Sequence, residues 1–302
     1  MSKLMIDLHC HSTASDGSLT PTELVRLGRS IGLGALALTD HDTVAGIDEA
    51  LTAAAAVGLD FLPGIELSAA HPTRGNLHVV GLGLDHRSPA LAEVLSWIVA
   101  KRDERNLLII EALRQRGVDI TIDDVAAVAQ GEVVARPHFA RVIVDRGAAA
   151  SLYEAYERFI GDQAPAYRDR ERLPVPRCFE VIHQAGGVAI LAHPHDLGLK
   201  NRELELLVRE LKEQGLDGLE TCYSGYPPTQ IEGYRRLARR HGLLESGGSD
   251  FHGANNPGLK LGIGPGKLHV PDALLPPLRE AIARRRSARR PAPRSAAVAV
   301  LE

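Results

Sequence analysis

The 302-residue chain is 44% hydrophobic and 24% charged with a net charge of −3, which suits a folded globular protein and excludes capture of nucleic acid by bulk charge alone. Three cysteines, Cys10, Cys178 and Cys222, are too few and odd in number for a disulfide framework, and aromatics at 4% leave the core to Ala, Leu, Val and Ile. No apolar run approaches the roughly 18 residues of a bilayer span, and residues 1–8 become charged too early for a secretory signal, so the expectation is a cytoplasmic protein with no membrane association and no obligate protein partner.

Short β-prone runs, most ending in polar or metal-capable residues, fall at 4–8, 35–39, 61–65, 78–84, 188–192, 218–221 and 243–246. Helical stretches at 22–31, 46–57, 202–214 and 229–241 lie between them. Thr20 is placed to cap the first helix ahead of Pro21, and Gly32, Gly58, Gly215 and Gly242 follow the four helices as C-terminal stops. Strand alternating with helix predicts an α/β fold with a parallel sheet, and seven strands suit a barrel whose site lies at the strands' C-terminal ends. The dozen residues between the third and fourth strands, with Gly75-Asn76 among them, are too few for a helical crossover, so that pair is expected to be antiparallel. The middle of the chain reads differently: one long helix over 89–116, then shorter ones at 123–128, 137–146 and 152–160. The expected organisation is a barrel first part over 1–100, a helical insertion over 101–172 capping it, a barrel second part over 173–283, and a flexible tail over 284–302. The arginines at 284–286 and 289–290 read as a solvated basic cluster, with RNA contact as the alternative.

The chemistry concentrates at strand ends. His9-Cys10-His11 follows the first strand, where residues i and i+2 face the same way, and Asp16 sits in a Ser15-Asp16-Gly17 turn that can return a carboxylate toward them. The second strand ends in Thr39-Asp40-His41-Asp42 and the third in Gly64-Ile65-Glu66; the fourth begins with His78; the fifth ends in Ala192-His193-Pro194-His195; the seventh is followed by Gly248-Ser249-Asp250-Phe251-His252. Imidazoles and carboxylates thus stand at six of seven strand termini in a chain with 13 histidines, a coincidence that capping polar residues do not explain. Mixed nitrogen and oxygen donors suit Mn, Zn or Fe, and the lack of cysteine ligands argues against a structural zinc. Asp40 suits orienting an imidazole better than ligation, and His71, His86, His183, His241 and His269 read as surface groups.

His9-x-His11 with Asp16, Asp40-His41, Glu66, His78, His193 and Asp250-x-His252 resembles the full motif set of the polymerase and histidinol phosphatase (PHP) family of the amidohydrolase superfamily, over residues 4–85 and 180–265. The resemblance implies a distorted seven-stranded (β/α)7 barrel and a metal-dependent phosphoesterase with two to three divalent ions, Mn²⁺ first and Zn²⁺ or Fe²⁺ as alternatives. It implies that His9, His11, Glu66 and Asp250 hold one ion, that Glu66 bridges to a second completed by His78 and His193, and that Asp16, His41 and His252 hold a third. Some members carry His where this chain has Asp16. Ala135-Arg136-Pro137-His138-Phe139-Ala140 resembles the cap of the subgroup with 3′,5′-nucleotide bisphosphate phosphatases and 5′→3′ exoribonucleases. The implied activity is removal of the 3′-phosphate from a nucleoside 3′,5′-bisphosphate. Trimming of RNA 5′ ends or short oligonucleotides is the alternative, and histidinol phosphate is disfavoured. The expected catalytic groups are Glu66, Asp250 and His195, the last as proton donor or as an unliganded neighbour. The expected substrate contacts are Arg136, whose fork suits a phosphate, with His138, Arg102 and Ser12; Lys101 and Arg105 are further candidates.

Overall fold

The computed structural model describes residues 5–73, 75–129 and 134–289. Eight strands form one sheet: β1 (Ile6–Asp7), β2 (Ala35–Leu38), β3 (Asp60–His71), β4 (Gly75–Leu82), β5 (Leu173–Pro174), β6 (Val188–Leu191), β7 (Gly218–Tyr223) and β8 (Leu244–Gly248). Seven of them run in the order β1-β2-β3-β4-β6-β7-β8, and the two-residue β5 adds to β3 off this path. The first and last strands meet where the Leu8 N–H donates to the Gly247 carbonyl at 3.1 Å and where Cys10 bridges Phe251, so the sheet is a nearly closed barrel. Every seam is parallel except the two made by β4, with β3 and β6. Reversing β4 puts its N-terminal residues, His78 among them, on the rim where the other strands end. The strands read as short apolar runs because both faces are covered: all four residues of β2, Ala-Leu-Ala-Leu, are buried.

The helices α1 (Pro21–Ser30), α2 (Ile47–Val57), α7 (Val175–Gln184), α8 (Asn201–Gln214) and α9 (Pro228–Arg240) pack around the strands. Thr20 caps α1 in a reciprocal box with Glu23, and Gly32, Gly58, Gly215 and Gly242 all have positive φ, the stops their positions anticipate. The pattern missed α7, whose Pro176 lies in the first turn, where a missing N–H costs nothing. It also missed α10 (Leu275–Arg289), and this corrects the expected tail. Leu278 and Ile282 pack with Ile6, Ala35 and Val188, so α10 closes the barrel end away from the rim, and Gly83, at φ 68°, leaves room for Ile282. Beyond residue 284 the helix stays anchored by Arg285 to Asp217 at 2.6 Å and by Arg286 to the Gly83 carbonyl at 2.7 Å. Residues 290–302 lie outside the described residues, as does Leu4 of the first predicted strand.

The β3–β4 hairpin is antiparallel as expected but much longer, with register pairs running from Gly64–Leu82 to His71–Gly75. Gly75 and Asn76 are therefore paired strand residues and not the turn. His71, read as a surface group, is buried at the end of β3 with its Nε2 3.2 Å from Glu210.

The cap comprises most of α3 (Pro89–Arg114), then α4 (Ile122–Ala129), α5 (Arg136–Asp145) and α6 (Leu152–Ala155), the last running into a π-turn over Tyr156–Ile160. It has its own core of Ile109, Leu113, Val125, Phe139, Ile143 and Ile160. The expected boundary at 101 falls inside α3, which is one continuous helix serving two cores: Leu91, Val94 and Ile98 pack toward the barrel strands, Ile109 and Leu113 into the cap. Between them Arg102, Arg105 and Asn106 are buried at positions where the same stripe would otherwise be apolar. Among the described residues no helix is long and apolar enough to cross a membrane.

Candidate metal centre

β1 delivers His9 and His11, both buried, into the barrel mouth, and β3 places Glu66 at their centre. One Glu66 oxygen, Oε2, lies 3.3 Å from His9 Nε2, 3.3 Å from His11 Nε2 and 3.1 Å from His41 Nδ1. The other, Oε1, lies 3.0 Å from His78 Nδ1 and 3.0 Å from His193 Nε2. Asp250 Oδ1 is 3.0 Å from His11 Nε2 and 3.4 Å from His9 Nε2, and Asp16 Oδ1 is 3.3 Å from His252 Nε2. All nine expected ligands thus converge. Three sets have donor atoms within 4.8 Å of one another: His9, His11, Glu66 and Asp250; His41, Glu66 and His78; His11, Asp16, His41 and His252. The first repeats the expected grouping. In the others His41 also joins Glu66 and His78, His11 also joins Asp16, and His193 is tied in at 3.3 Å from His78.

The non-glycine residues with positive φ among the described ones are Asp42 (55°), His193 (24°) and Asp250 (54°), all on this rim. Such strain costs of order 1–3 kcal/mol per residue and persists only where neighbours impose it. Here Asp42 N–H donates to the Glu66 carbonyl, His193 N–H to Glu220 Oε2 and Asp250 N–H to the His9 carbonyl, at 2.9, 2.7 and 2.8 Å.

The donor set fits divalent cations. His9 Nε2, both ring nitrogens of His11, His41 Nδ1 and Asp250 Oδ1 are buried without a hydrogen-bond partner, a costly state that a shared cation relieves. Gly248 keeps the space: a Cβ there would lie 2.4 Å from the His9 nitrogen. Burial opposes charge on His11 and His193, but carboxylates outweigh it, Asp250 and Glu66 for His11 and Asp196 and Glu66 for His193, and both imidazoles are pushed up to about 10. Burial brings His41 down to about 4, and despite burial the imidazoles hold Glu66 and Asp250 well below the usual carboxylate range. Ligation requires neutral imidazoles, so loading a metal must expel these protons. Metal affinity is therefore expected to rise with pH through neutrality. Calorimetric titration of metal-free protein in buffers of differing ionisation enthalpy should register release of at least about one proton per chain; binding without proton release would contradict the assignment.

Two buried carboxylates that the sequence reading passed over support the ligands. Glu220 lies 3.1 Å from His9 Nδ1, which leaves Nε2 to face the centre, and Asp7 accepts from Ser249 N–H, Ser249 Oγ and Gly262 N–H at 2.9, 2.5 and 2.8 Å, locking the loop that carries Asp250. Their signal was a carboxylate inside an otherwise buried apolar strand. Asp40 does not orient an imidazole. It accepts from Ser12 N–H and Oγ, both at 2.7 Å, and from Ser15 Oγ at 2.6 Å, so it holds the loop leading to Asp16, and Ser12 is committed to that task. His195 stays outside the cluster and is exposed. Its Nδ1 lies 3.0 Å from the Gln230 amide nitrogen, and its backbone N–H donates to the Tyr226 hydroxyl at 3.2 Å.

Beside the His41–His78–Asp16 flank, a cavity of about 160 Å³ opens into a larger one of about 290 Å³, and Ser68, Arg102 and Arg170 line both. The larger is ringed by Arg102, Arg105, Arg136, Arg168, Arg170 and Arg172. Asp42 holds Arg102 at 2.9 Å and Arg170 at 2.6 Å. Arg136 pairs with Asp162 and lies over the Tyr167 ring at 5.4 Å. Arg105 is 8% exposed and its Nε has no hydrogen-bond partner among the described residues. Burial and neighbouring guanidinium groups bring Arg102 and Arg105 down to about 10, still charged at neutral pH. His138 Nδ1 accepts from the Ala135 N–H at 3.0 Å, tying down the start of α5, and Lys101 turns to Glu104 and Glu171 instead of the cavity. The alternation Arg168-x-Arg170-x-Arg172, one face of an extended segment, was the available signal for the residues the sequence reading missed.

The chain's likenesses agree with this centre. A model of the PHP domain matches residues 7–160, which include His9 to His78. Over 246 residues the chain is 40% identical to a 5′-3′ exoribonuclease of Haemophilus influenzae, covering 82% of this chain and 89% of that protein. Over 292 residues it is 35% identical to a 3′,5′-nucleoside bisphosphate phosphatase of Chromobacterium violaceum, covering 94% and 97%. A solved structure from Bifidobacterium adolescentis, assigned as a metal-dependent phosphoesterase, matches with a TM-score of 0.77 at 31% identity over 92% of this chain and 96% of that one. On its barrel, its converging donor set and these matches, the chain belongs to the PHP family and is a hydrolase of phosphoesters.

Proposed function

We propose that this protein hydrolyses the phosphoester on the 3′-oxygen of a nucleotide whose 5′-phosphate rests in the arginine cavity, with a nucleoside 3′,5′-bisphosphate as its foremost substrate and a 5′-mononucleotide and phosphate as products. The observation that carries this reading is the cavity itself: six guanidinium groups beside the metal centre, one of them buried with an Nε that has no partner among the described residues, suit a second phosphate dianion. Arg102 and Arg170 are held in place by Asp42, Arg105 adds a buried guanidinium whose Nε has no partner among the described residues, and Arg136 closes the cap side. The nine histidine, aspartate and glutamate ligands would hold two to three divalent cations, Mn²⁺ first and Zn²⁺ or Fe²⁺ as alternatives. Bound divalent cations supply Lewis acidity to the phosphoryl oxygens and lower the pKa of water for in-line attack. His195, two residues past the ligand His193 and not in the cluster, has its Nδ1 3.0 Å from the Gln230 side-chain amide, and as an imidazolium, with Nδ1–H donating to the amide oxygen, it would give the leaving oxygen a proton from Nε2.

A second substrate fits the same register: the first phosphodiester at the 5′ end of an RNA is also an ester on the 3′-oxygen of a 5′-phosphorylated nucleotide. The 40% identity to an exoribonuclease favours it. Turnover of adenosine 3′,5′-bisphosphate, AMP, histidinol phosphate and a 5′-phosphorylated RNA, compared with Mn²⁺, tests the reading. Bisphosphate and RNA should be cleaved, and the other two at least about tenfold more slowly, the worth of one charge-assisted contact. AMP hydrolysed as fast as the bisphosphate would overturn it.

A further inference from the structure

We propose that the groove between α8 and α9 binds the nucleotide that follows the scissile phosphate of a 5′-phosphorylated RNA. This rests on the phosphoesterase reading above, in which the arginine cavity takes the nucleotide on the other side of that phosphate. The groove, about 560 Å³, is lined by His195, Leu199, Asn201, Gln230, Gly233 and Tyr234, a size and a mix of apolar walls with a few polar groups that suit one base and ribose.

An aromatic path joins it to the metal centre. The Tyr223 ring lies 5.5 Å from that of His193, and its hydroxyl donates to Asp250 at 2.7 Å. Tyr226 lies 5.2 Å from Tyr223, and Tyr234, on the groove wall, 5.3 Å from Tyr226. The part of Tyr234 that faces the groove suits contact with a base of any identity. His195 links the two places: it lines the groove, sits two residues from His193, and is fixed by Tyr226 and Gln230. Arg236, on the rim and 62% exposed, is only loosely paired with Glu232 at 3.8 Å and is free to meet the next phosphate of the strand.

Gly233 is the independent sign. It lies inside the 13-residue helix α9, where glycine weakens a helix relative to alanine. Gly28 inside α1 faces packed side chains, where a Cβ would make ordinary contacts with Leu33, Leu59 and Leu36 at 3.4 to 3.6 Å. A Cβ on Gly233 would meet nothing within 4 Å. The space it leaves open is the groove.

A nucleoside bisphosphate has no second nucleoside and does not need the groove, so the two substrates separate its role from that of the metal centre. The experiment measures kcat/KM with Mn²⁺ for adenosine 3′,5′-bisphosphate and for a 5′-phosphorylated trinucleotide, in wild type and in Gly233→Leu, whose side chain fills the floor. The ratio of the trinucleotide value to the bisphosphate value should fall at least about tenfold, as loss of one stacked base does, with a melting temperature no lower than wild type because leucine is the better helix former. An unchanged ratio overturns the proposal, whether both activities are kept or both fall together. A wild type that hydrolyses the bisphosphate but spares the trinucleotide also overturns it while leaving the phosphoesterase reading intact; a wild type inert on both overturns that reading as well.

Discussion

Glu66→Gln is expected to lower kcat on the order of a thousandfold, the largest loss of any single ligand, while the barrel stays folded. Its two oxygens divide the centre: Oε1 faces His78 and His193, and Oε2 faces His9, His11 and His41. Glutamine removes the charge that both halves share and turns an amide N–H₂ toward imidazole nitrogens that need an acceptor or a cation. The flanking Ile65 and Leu67 are fully buried and keep β3 in the sheet whatever stands between them. Elemental analysis should show fewer than the wild-type complement of about two to three ions, as multi-metal chemistry requires, and circular dichroism should be unchanged. Near-normal turnover with full metal content would show that Glu66 does not bridge.

The converging donor set was legible because a barrel puts function at strand ends, and strand ends are where an apolar run stops. His9, Glu66 and His193 each follow such a run directly, and His41 and Asp250 come three and two residues past the ends of β2 and β8, so locating the strands located the site. What lay inside elements was harder to read. β3 continues through Glu66-Leu67-Ser68-Ala69-Ala70-His71, where alanine and serine blur the alternation, yet Leu67 and Ala69 are buried and the hairpin with β4 carries the pairing. Glu220 and Asp7 hide in strands because a strand reading assigns polar residues to a wet face, and these strands have none. The same reasoning recovers Arg102 and Arg105: a helix spanning two cores should carry one unbroken apolar stripe, and two arginines in that stripe mark charge buried between the cores. α10 was lost to composition. Its arginines suggested a tail, whereas Leu278 and Ile282, four apart, supply the apolar contact that seats it.

Arg105→Met is expected to raise the melting temperature and, under the bisphosphate reading, to lower kcat/KM on adenosine 3′,5′-bisphosphate by about one to two decades. The two effects share one cause. Arg105 is buried beside Arg102, Arg136, Arg170 and Arg172, and among the described residues no ion pair with a carboxylate offsets its charge, so burial first and like charges second bring its guanidinium down to about 10. A basic group with a depressed folded pKa is one whose charge opposes folding throughout the pH range below that value, so replacing it with an apolar side chain that occupies the same stem relieves a penalty. In the complex the charge meets the substrate's second phosphate, and a charge-assisted hydrogen bond contributes about 1.5–3 kcal/mol, hence the expected loss. Hydrolysis of p-nitrophenyl phosphate, which lacks that phosphate, should change little. Arg102→Met is the contrast: it strips Asp42 of one of its two cationic partners and should lower the melting temperature, because a buried carboxylate is left underpaired. If Arg105→Met instead melts lower and loses both substrates in equal measure, Arg105 supports the joint between barrel and cap, and the second phosphate must be held elsewhere.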